Sequence, residues 1–306
     1  MFRAPILAAA RSARVRALVE NAPLSRKVVQ RFVAGADTDD AVRAGRRLID
    51  QGLRVSFDHL GEDTLDAGRA ESTVKAYLAL LNRLAEEDLA GEAEVSVKLT
   101  AVGLDLGTAL GLDNARRIAD AAQGAGTTIT VDMEDHTRTD ATLAGVAELR
   151  RDFPAIGAVL QAYLRRTEQD CRALATAGSR VRLCKGAYAE PASVAFQSRA
   201  EVDASYTRCL GVLMAGPGYP MVATHDPALI ALTGRLAAEG GRSADSFEYQ
   251  LLFGVRPVEQ RRLAAAGAAV RVYVPYGGQW YGYLMRRLAE RPANVTFFLR
   301  ALASRG

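Results

Sequence analysis

A (β/α)8 barrel is the fold class that this sequence predicts, and two features predict it. Short runs of strand character recur eight times after residue 50, with helical patterns between most of them. The unusual polar residues collect where those runs end, which is where a barrel gathers its functional groups. The strand candidates are Leu53–Phe57, Val95–Leu99, Thr127–Met133, Ala158–Ala162, Val181–Cys184, Met221–Ala223, Ser246–Leu251 and Val270–Val274. The helical patterns include Asn114–Gln123, Asp140–Arg151, Glu168–Ala177, Glu201–Met214, Ala228–Glu239 and Val258–Ala266. This span suits a barrel of roughly 250 residues with an N-terminal extension. An open doubly wound sheet is the competing α/β class. It would carry an early GxGxxG for a dinucleotide, and none follows an early strand. The expected organisation is a helical extension over residues 1–50 and a TIM-type barrel over 51–306, with no Pro/Gly/Ser-rich linker dividing them.

Composition narrows the function classes. A net charge of +4 on 306 residues is mild, and no block of five Lys or Arg occurs, so nucleic-acid binding has no support. The cysteines are Cys171, Cys184 and Cys209, an odd, sparse set without CxxC, which offers neither a disulfide framework nor a zinc site. The apolar runs are too short to span a bilayer. Residues 1–19 carry Arg3, Arg11, Arg14 and Arg16 and no acid. They lack the serine-rich character of a transit peptide, so the favoured reading is a plain Arg-rich N-terminal helix, with a weak membrane-surface role as the alternative. The expected location is the cytoplasm, with peripheral contact at the inner face of the cell membrane.

Taken in order, residues 1–50 read as helical, with Ala36-Asp37-Thr38-Asp39-Asp40 supplying turn and N-cap residues before Val42, Leu48 and Ile49. The first strand ends in Asp58-His59-Leu60-Gly61-Glu62 and the second contains Lys98. The third runs into Asp132-Met133-Glu134-Asp135-His136, and the fourth ends at Gln161-Ala162-Tyr163. The fifth carries Arg182 and Lys185-Gly186-Ala187-Tyr188, the sixth Thr224-His225-Asp226, and the seventh Glu248 and Gln250. All three histidines and two of only four lysines fall at these places. The last strand, alternating Val270, Val272 and Val274, is stopped by Pro275 and Gly277-Gly278. The helix Gln279–Glu290 follows, with Tyr283, Arg286, Arg287 and Glu290 on one face. Two guanidinium groups beside an aromatic ring can hold a small carboxylate in a fixed orientation.

Three chemistries suit such a rim. Metal-assisted hydrolysis could draw on His59, His136 and His225, but no HxH or HExxH spacing supports it. Schiff-base chemistry could use Lys98 or Lys185. Flavin redox chemistry on a small amino or hydroxy acid would use Arg and Lys for the carboxylate and other rim groups for the flavin. Thr224-His225-Asp226-Pro227 suits the third, because Asp226 as N-cap and Pro227 at the first helical position open a helix N-terminus that attracts phosphate. A non-catalytic barrel is disfavoured by the number of polar groups on one rim.

The motifs together resemble the proline dehydrogenase family. They are Ser96-Val97-Lys98-Leu99, Asp132-Met133-Glu134-Asp135, Gln161-Ala162-Tyr163, Arg182-Leu183-Cys184-Lys185-Gly186-Ala187-Tyr188, Ala223-Thr224-His225, Phe247-Glu248-Tyr249-Gln250 and a terminal Tyr-x-Pro…Tyr-Leu-x-Arg-Arg-Leu-x-Glu. They occur in the family's order from about residue 30 to 300. The resemblance implies a distorted barrel binding FAD. It implies oxidation of L-proline to Δ1-pyrroline-5-carboxylate, with electrons passed to a quinone. The length matches the short monofunctional bacterial form, so a separate pyrroline-5-carboxylate dehydrogenase is expected to take the product. The family pattern assigns Arg286, Arg287 and Lys98 to the proline carboxylate, with Asp132 near the substrate and fixing Lys98. It makes Tyr273, Tyr283 and Leu252 the pocket wall. It sets Met133, Gln161, Arg182, Lys185, Gly186, Ala187, Thr224, His225 and Asp226 around the FAD, and implies no metal. Asp132 and Arg182 are the expected catalytic pair, Arg182 acting on the flavin. The resemblance also implies an ion-pair gate between Glu62 and Arg286. Asp226 departs from the usual Asn, and an acid there is expected to cap its own helix. Ala189 stands where a large aromatic is common, Cys184 where Val is, and Tyr249 where Phe is.

Overall fold

Eight parallel strands close into a barrel in sequence order, the last pairing with the first. The computed structural model describes residues 29–61, 64 and 66–290, with the backbone alone for 286–290. Of the helical extension expected over 1–50, residues 1–28 lie outside the described residues.

The chain enters through residues 29–35 and forms α1 (Thr38–Ile49), capped by the Asp37 carboxylate on the Asp40 N–H. Then come β1 (Arg54–His59), α2 (Ala67–Glu86), β2 (Ala93–Val97), α3 (Thr108–Gly124), β3 (Ile129–Val131) and α4 (Thr139–Leu149). The second half follows with β4 (Gly157–Gln161), α5 (Thr167–Leu174), β5 (Arg180–Cys184), α6 (Arg199–Ala215), β6 (Tyr219–Ala223), α7 (Pro227–Glu239), β7 (Glu248–Leu252), α8 (Pro257–Ala265), β8 (Val270–Tyr276) and α9 (Trp280–Glu290). Ser198 and Glu201 form a reciprocal capping box at the start of α6.

Alternation along each strand separates two environments. Val55, Phe57, Val95, Val97, Ile129 and Val131 join the apolar layer between barrel and helices, with Leu80, Leu81, Leu84 and Ile118 from α2 and α3. Ala41, Val42, Ala44 and Leu48 of α1 enter the same layer. The opposite parity points into the barrel and is largely charged: Ser56 and Asp58, Glu94 and Ser96, Thr130 and Asp132, Arg180 and Arg182, Glu248 and Gln250, Arg271 and Tyr273. A second apolar cluster, Phe32, Val33, Leu60, Tyr281, Tyr283, Leu284 and Met285, clamps α9 onto the entering segment.

The strands shift slightly from the expected runs. Pro275 does not stop β8, which continues through it to Tyr276. Its missing N–H falls on the closing rungs of the β1 pairing, where Asp58 faces Pro275. The Pro275 carbonyl accepts from the Ala34 N–H (2.9 Å), and Leu60 N–H donates to the Tyr276 carbonyl (2.8 Å), so the neighbouring groups keep their partners. β2 begins and ends two residues earlier than expected, which puts Lys98 just past its C-terminal end. α3 starts at Thr108, six residues before the sequence pattern suggests. No helix among the described residues is long and apolar enough to cross a membrane.

Candidate functional site

The C-terminal mouth of the barrel is built around Arg182 at the centre of the interior. Its guanidinium donates to Gln250 of β7, Ser96 of β2 (3.0 Å), Asp132 beyond β3 (2.5 Å), Ser56 of β1 (3.3 Å) and Glu94 of β2 (3.3 Å). Partners on three other strands and on the segment just after β3 leave this side chain little rotational freedom, and the Tyr273 ring lies 5.3 Å from its carbon centre. Burial disfavours the charge, but Asp132 and Glu94 more than compensate and raise the pKa of Arg182.

Above Arg182 the interior opens on a second set of groups. Tyr273 donates its hydroxyl to Asp132 Oδ2 at 2.6 Å. Lys98 places its ammonium 3.6 Å from Asp132 Oδ2 and 2.7 Å from Asp58 Oδ1. The closer partner of Lys98 is therefore Asp58, and Asp132 is mainly tied to Arg182 and Tyr273. Asp132 contributes the more distant of the two carboxylate contacts to Lys98. Burial raises the pKa of Tyr273 well above the ordinary value, with Asp132 and Asp58 adding to it, so it stays a neutral donor.

Below Arg182 the charges continue to the barrel floor. Glu94 takes Arg180 (2.7 Å) and Thr130 (3.1 Å), and Arg271 lies 3.8 Å away. Glu248 takes Arg271 (2.8 Å), Gln250 (2.6 Å) and Tyr219 (3.2 Å). Asp58, Glu248 and Gln250 stand among the strand-end polar residues of the sequence without an assigned task, and Glu94 is not singled out there. The available signal was parity: Glu94, Ser96 and Lys98 alternate on one face of β2.

The other expected residues lie along the rim from β3 to β7. Met133 and Thr224 are buried, and Ala187 and Leu252 are half-buried. Gln161 is buried at the end of β4 with its Oε1 lacking a hydrogen-bond partner among the described residues. Gly186 has φ +111°, and an added Cβ would stand 2.2 Å from the Tyr163 ring. That ring is held by its hydroxyl on Glu190 (3.1 Å), which also takes the His136 N–H (3.0 Å) and pairs with the His136 ring. His225 accepts the Leu252 N–H on Nε2 at 2.9 Å. Asp226 caps α7 on the Ala228 N–H (3.0 Å), as expected, and with Asp203 it holds Lys185 (3.1 and 2.5 Å). Tyr283 is buried on α9. The helix carries Arg286 and Arg287, whose side chains lie outside the described residues, as does Glu62, so the Glu62–Arg286 gate is not on view.

These residues offer what a flavin would need. The buried Gln161 Oε1 calls for a donor, and an isoalloxazine edge supplies one. Gly186 permits close backbone approach. Arg182 is a fixed cation on the barrel axis. The phosphate end is less prepared, since a phosphate would have to share Lys185 with two carboxylates. Gly186→Ala should cost about 1–3 kcal/mol, because both φ and the fixed Tyr163 ring oppose a side chain. Thermal melts of wild type and variant test this, and equal melting temperatures would refute it.

The family model for proline dehydrogenase matches residues 41–300. Proline dehydrogenase 1 of Bacillus subtilis (strain 168) is 39% identical over 273 residues, covering 89% of this chain and 90% of that protein. The proline dehydrogenase of Deinococcus radiodurans is 38% identical over 280 residues, covering 90% of each. Among solved structures, proline utilization A of Bdellovibrio bacteriovorus, inactivated by N-propargylglycine, superposes with a TM-score of 0.81 at 23% identity. That alignment covers 93% of this chain and 36% of the larger protein, so the present chain spans about a third of its length.

Proposed function

This chain belongs to the proline dehydrogenase family, whose reaction is the first step of proline catabolism, and from that premise we propose that it oxidises L-proline to Δ1-pyrroline-5-carboxylate with FAD as resident cofactor and a quinone as electron acceptor. The product would pass to a pyrroline-5-carboxylate dehydrogenase. The observation that carries this reading is the interlocked set Arg182, Asp132, Tyr273 and Lys98 at the barrel mouth. It offers fixed cations and donors at the opening, and α9, which carries Arg286 and Arg287, follows β8. Neither rim lysine is set up as a Schiff-base nucleophile. Lys98 and Lys185 are each engaged in an ion pair, Lys98 with Asp58 at 2.7 Å and Lys185 with Asp203 at 2.5 Å and Asp226 at 3.1 Å.

Bound FAD would supply acceptance of a hydride from the ring carbon beside the proline nitrogen. The protein's own part is orientation and charge placement. Lys98, Arg286 and Arg287 bind the substrate carboxylate, and Tyr273, Tyr283 and Leu252 wall the ring. Arg182 presents a positive charge to the flavin, and Asp132 keeps it aimed by a 2.5 Å hydrogen bond. Gln161, Met133, Lys185, Gly186, Ala187, Thr224 and His225 line the cofactor side, with Asp226 holding Lys185. Exclusion of water strengthens each charge contact. The decisive test is direct: purified protein should be yellow, and its flavin band should bleach anaerobically on addition of L-proline. A colourless protein that takes up no FAD would overturn the reading.

Arg287→Ala should retain FAD and lose affinity for proline. A missing charged hydrogen bond is worth about 1.5–3 kcal/mol, or roughly ten- to a hundredfold. Half-saturation of flavin reduction by proline is the measurement, and a wild-type value would remove Arg287 from the pocket.

A further inference from the structure

The lysine that meets the substrate in this reading is held from behind by a residue that the reading does not use. Lys98 stands one residue beyond β2, and its ammonium is 2.7 Å from Asp58 Oδ1, against 3.6 Å from Asp132 Oδ2. Asp132 is engaged by stronger partners, Arg182 at 2.5 Å and Tyr273 at 2.6 Å. Asp58 is only 2% exposed. Its strand end is pinned on both sides, since β1 pairs Asp58 with Ser96 of β2 and with Pro275 of β8. From α2, the Tyr77 hydroxyl donates to the Ser96 carbonyl (2.6 Å) and accepts the His59 N–H (3.2 Å). Asp58 therefore cannot follow the ammonium if it swings. The ammonium must come to Asp58.

We propose that Asp58 is a positioning residue for proline oxidation: its buried carboxylate fixes Lys98 at the barrel mouth and keeps that ammonium charged, so the substrate carboxylate meets a cation throughout the pH range in which the substrate amine gives up its proton. The inference rests on the proline pocket proposed above. The logic is electrostatic. The amine has to be neutral before hydride can leave the neighbouring carbon, so the reaction is favoured by rising pH. A lysine that shares Asp132 with Arg182 and meets an approaching substrate ammonium would be pushed toward neutrality over the same range. A second carboxylate, independent of the one that serves Arg182, opposes that push.

The surroundings make the effect readable. Among the described residues, Asp58 and Asp132 lie within ion-pair distance of Lys98, His59 of β1 and Tyr77 of α2 feel its charge, and Tyr273 and Tyr276 of β8 face Asp58. Burial lowers the pKa of His59, so it stays neutral above pH 7. Burial raises the pKa of Tyr77, Tyr273 and Tyr276, so their hydroxyls stay protonated as the medium becomes alkaline. A loss of carboxylate binding in mildly alkaline solution would thus report on Lys98.

The test uses the FAD-loaded enzyme and cyclopentanecarboxylate, a proline-like ring acid without an amine, followed by its perturbation of the flavin spectrum as pH rises from neutral. Asp58→Asn should bind the probe about tenfold more weakly than wild type at neutral pH, the size of a lost charged contact. Its affinity should also fall away at a lower pH than that of wild type. Asp58→Glu, which keeps the charge and displaces it, should bind weakly but retain the wild-type pH profile. With proline itself, the larger part of the loss in Asp58→Asn should fall on half-saturation and the smaller on the limiting rate. Wild-type affinity and pH profile in both variants would overturn the inference and leave the pocket reading standing. A wild-type enzyme with bound flavin and no spectral response to the probe would overturn both.

Discussion

Arg182→Met should slow the limiting rate of flavin reduction by proline roughly 100- to 1,000-fold, the usual consequence of removing one preorganised charge-stabilising group. It should also lower the stability of the fold by about 3–5 kcal/mol, because it leaves buried carboxylates without their partner. Both effects come from the same five contacts. Arg182 joins β5 to β1, β2, the segment just after β3, and β7 through Ser56, Ser96, Glu94, Asp132 and Gln250. Methionine fills similar space and donates nothing, so Asp132 keeps only Tyr273 and the more distant Lys98. Anaerobic stopped-flow reduction and urea unfolding measure the two effects separately. A variant with the wild-type limiting rate would show that Arg182 is structural and plays no part in the redox step.

Glu94→Ala should cost about 3–5 kcal/mol as well, with a signature in acid. Burial alone would raise the pKa of Glu94, but the charges of Arg271, Arg180 and Arg182 outweigh it and bring it from 4.5 to about 2. Glu248 moves in the same direction, burial being overcome by Arg271. A carboxylate with a depressed folded-state pKa binds fewer protons folded than unfolded. Its stabilisation is complete above pH 4.5 and is lost as pH falls from there toward 2. The wild type should therefore lose stability steeply across that window, and Glu94→Ala should start lower and lose less. Urea midpoints at a series of acidic pH values give the slopes. Parallel slopes in wild type and variant would contradict the assigned charge state.

Much of this arrangement is legible in the sequence, for a definite reason. Parallel strands covered by helices must place apolar residues outward, and Val55, Phe57, Val95, Val97, Val270, Val272 and Val274 announce that face. The intervening positions, Ser56, Asp58, Glu94, Ser96, Arg271 and Tyr273, are then assigned inward by parity. The strand ends are where Lys98, Asp132, Gln161, Arg182, Thr224 and His225 were expected, and all six are described at or near the barrel's C-terminal side.

What could not be read is who pairs with whom. Lys98 lies 34 positions from Asp132 and 40 from Asp58, and the preference for Asp58 follows from two strand registers and from how Asp132 divides its lone pairs. The path of β8 through Pro275 was equally hidden, because it depends on residues 34 and 35 lying across the strand end. Glu94 stands just before the expected strand Val95–Leu99 and nothing local marks it out. Only closure of the barrel reveals that three arginines converge on it.

That closure has a consequence for how the chain can be assembled. Glu94 and Glu248 depend on Arg271, the first inward residue of the last strand to be synthesised. A chain emerging from the ribosome with seven strands made would hold two carboxylates in a cavity short of a cation, a state that water must keep solvating. Half-barrels split between β4 and β5 would separate Glu94 from Arg180 and Arg182. An apolar interior could collapse piecemeal, but an ionic one rewards only the complete ring. This barrel should therefore resist division into complementing fragments and fold in one late, cooperative step that waits for its final strand.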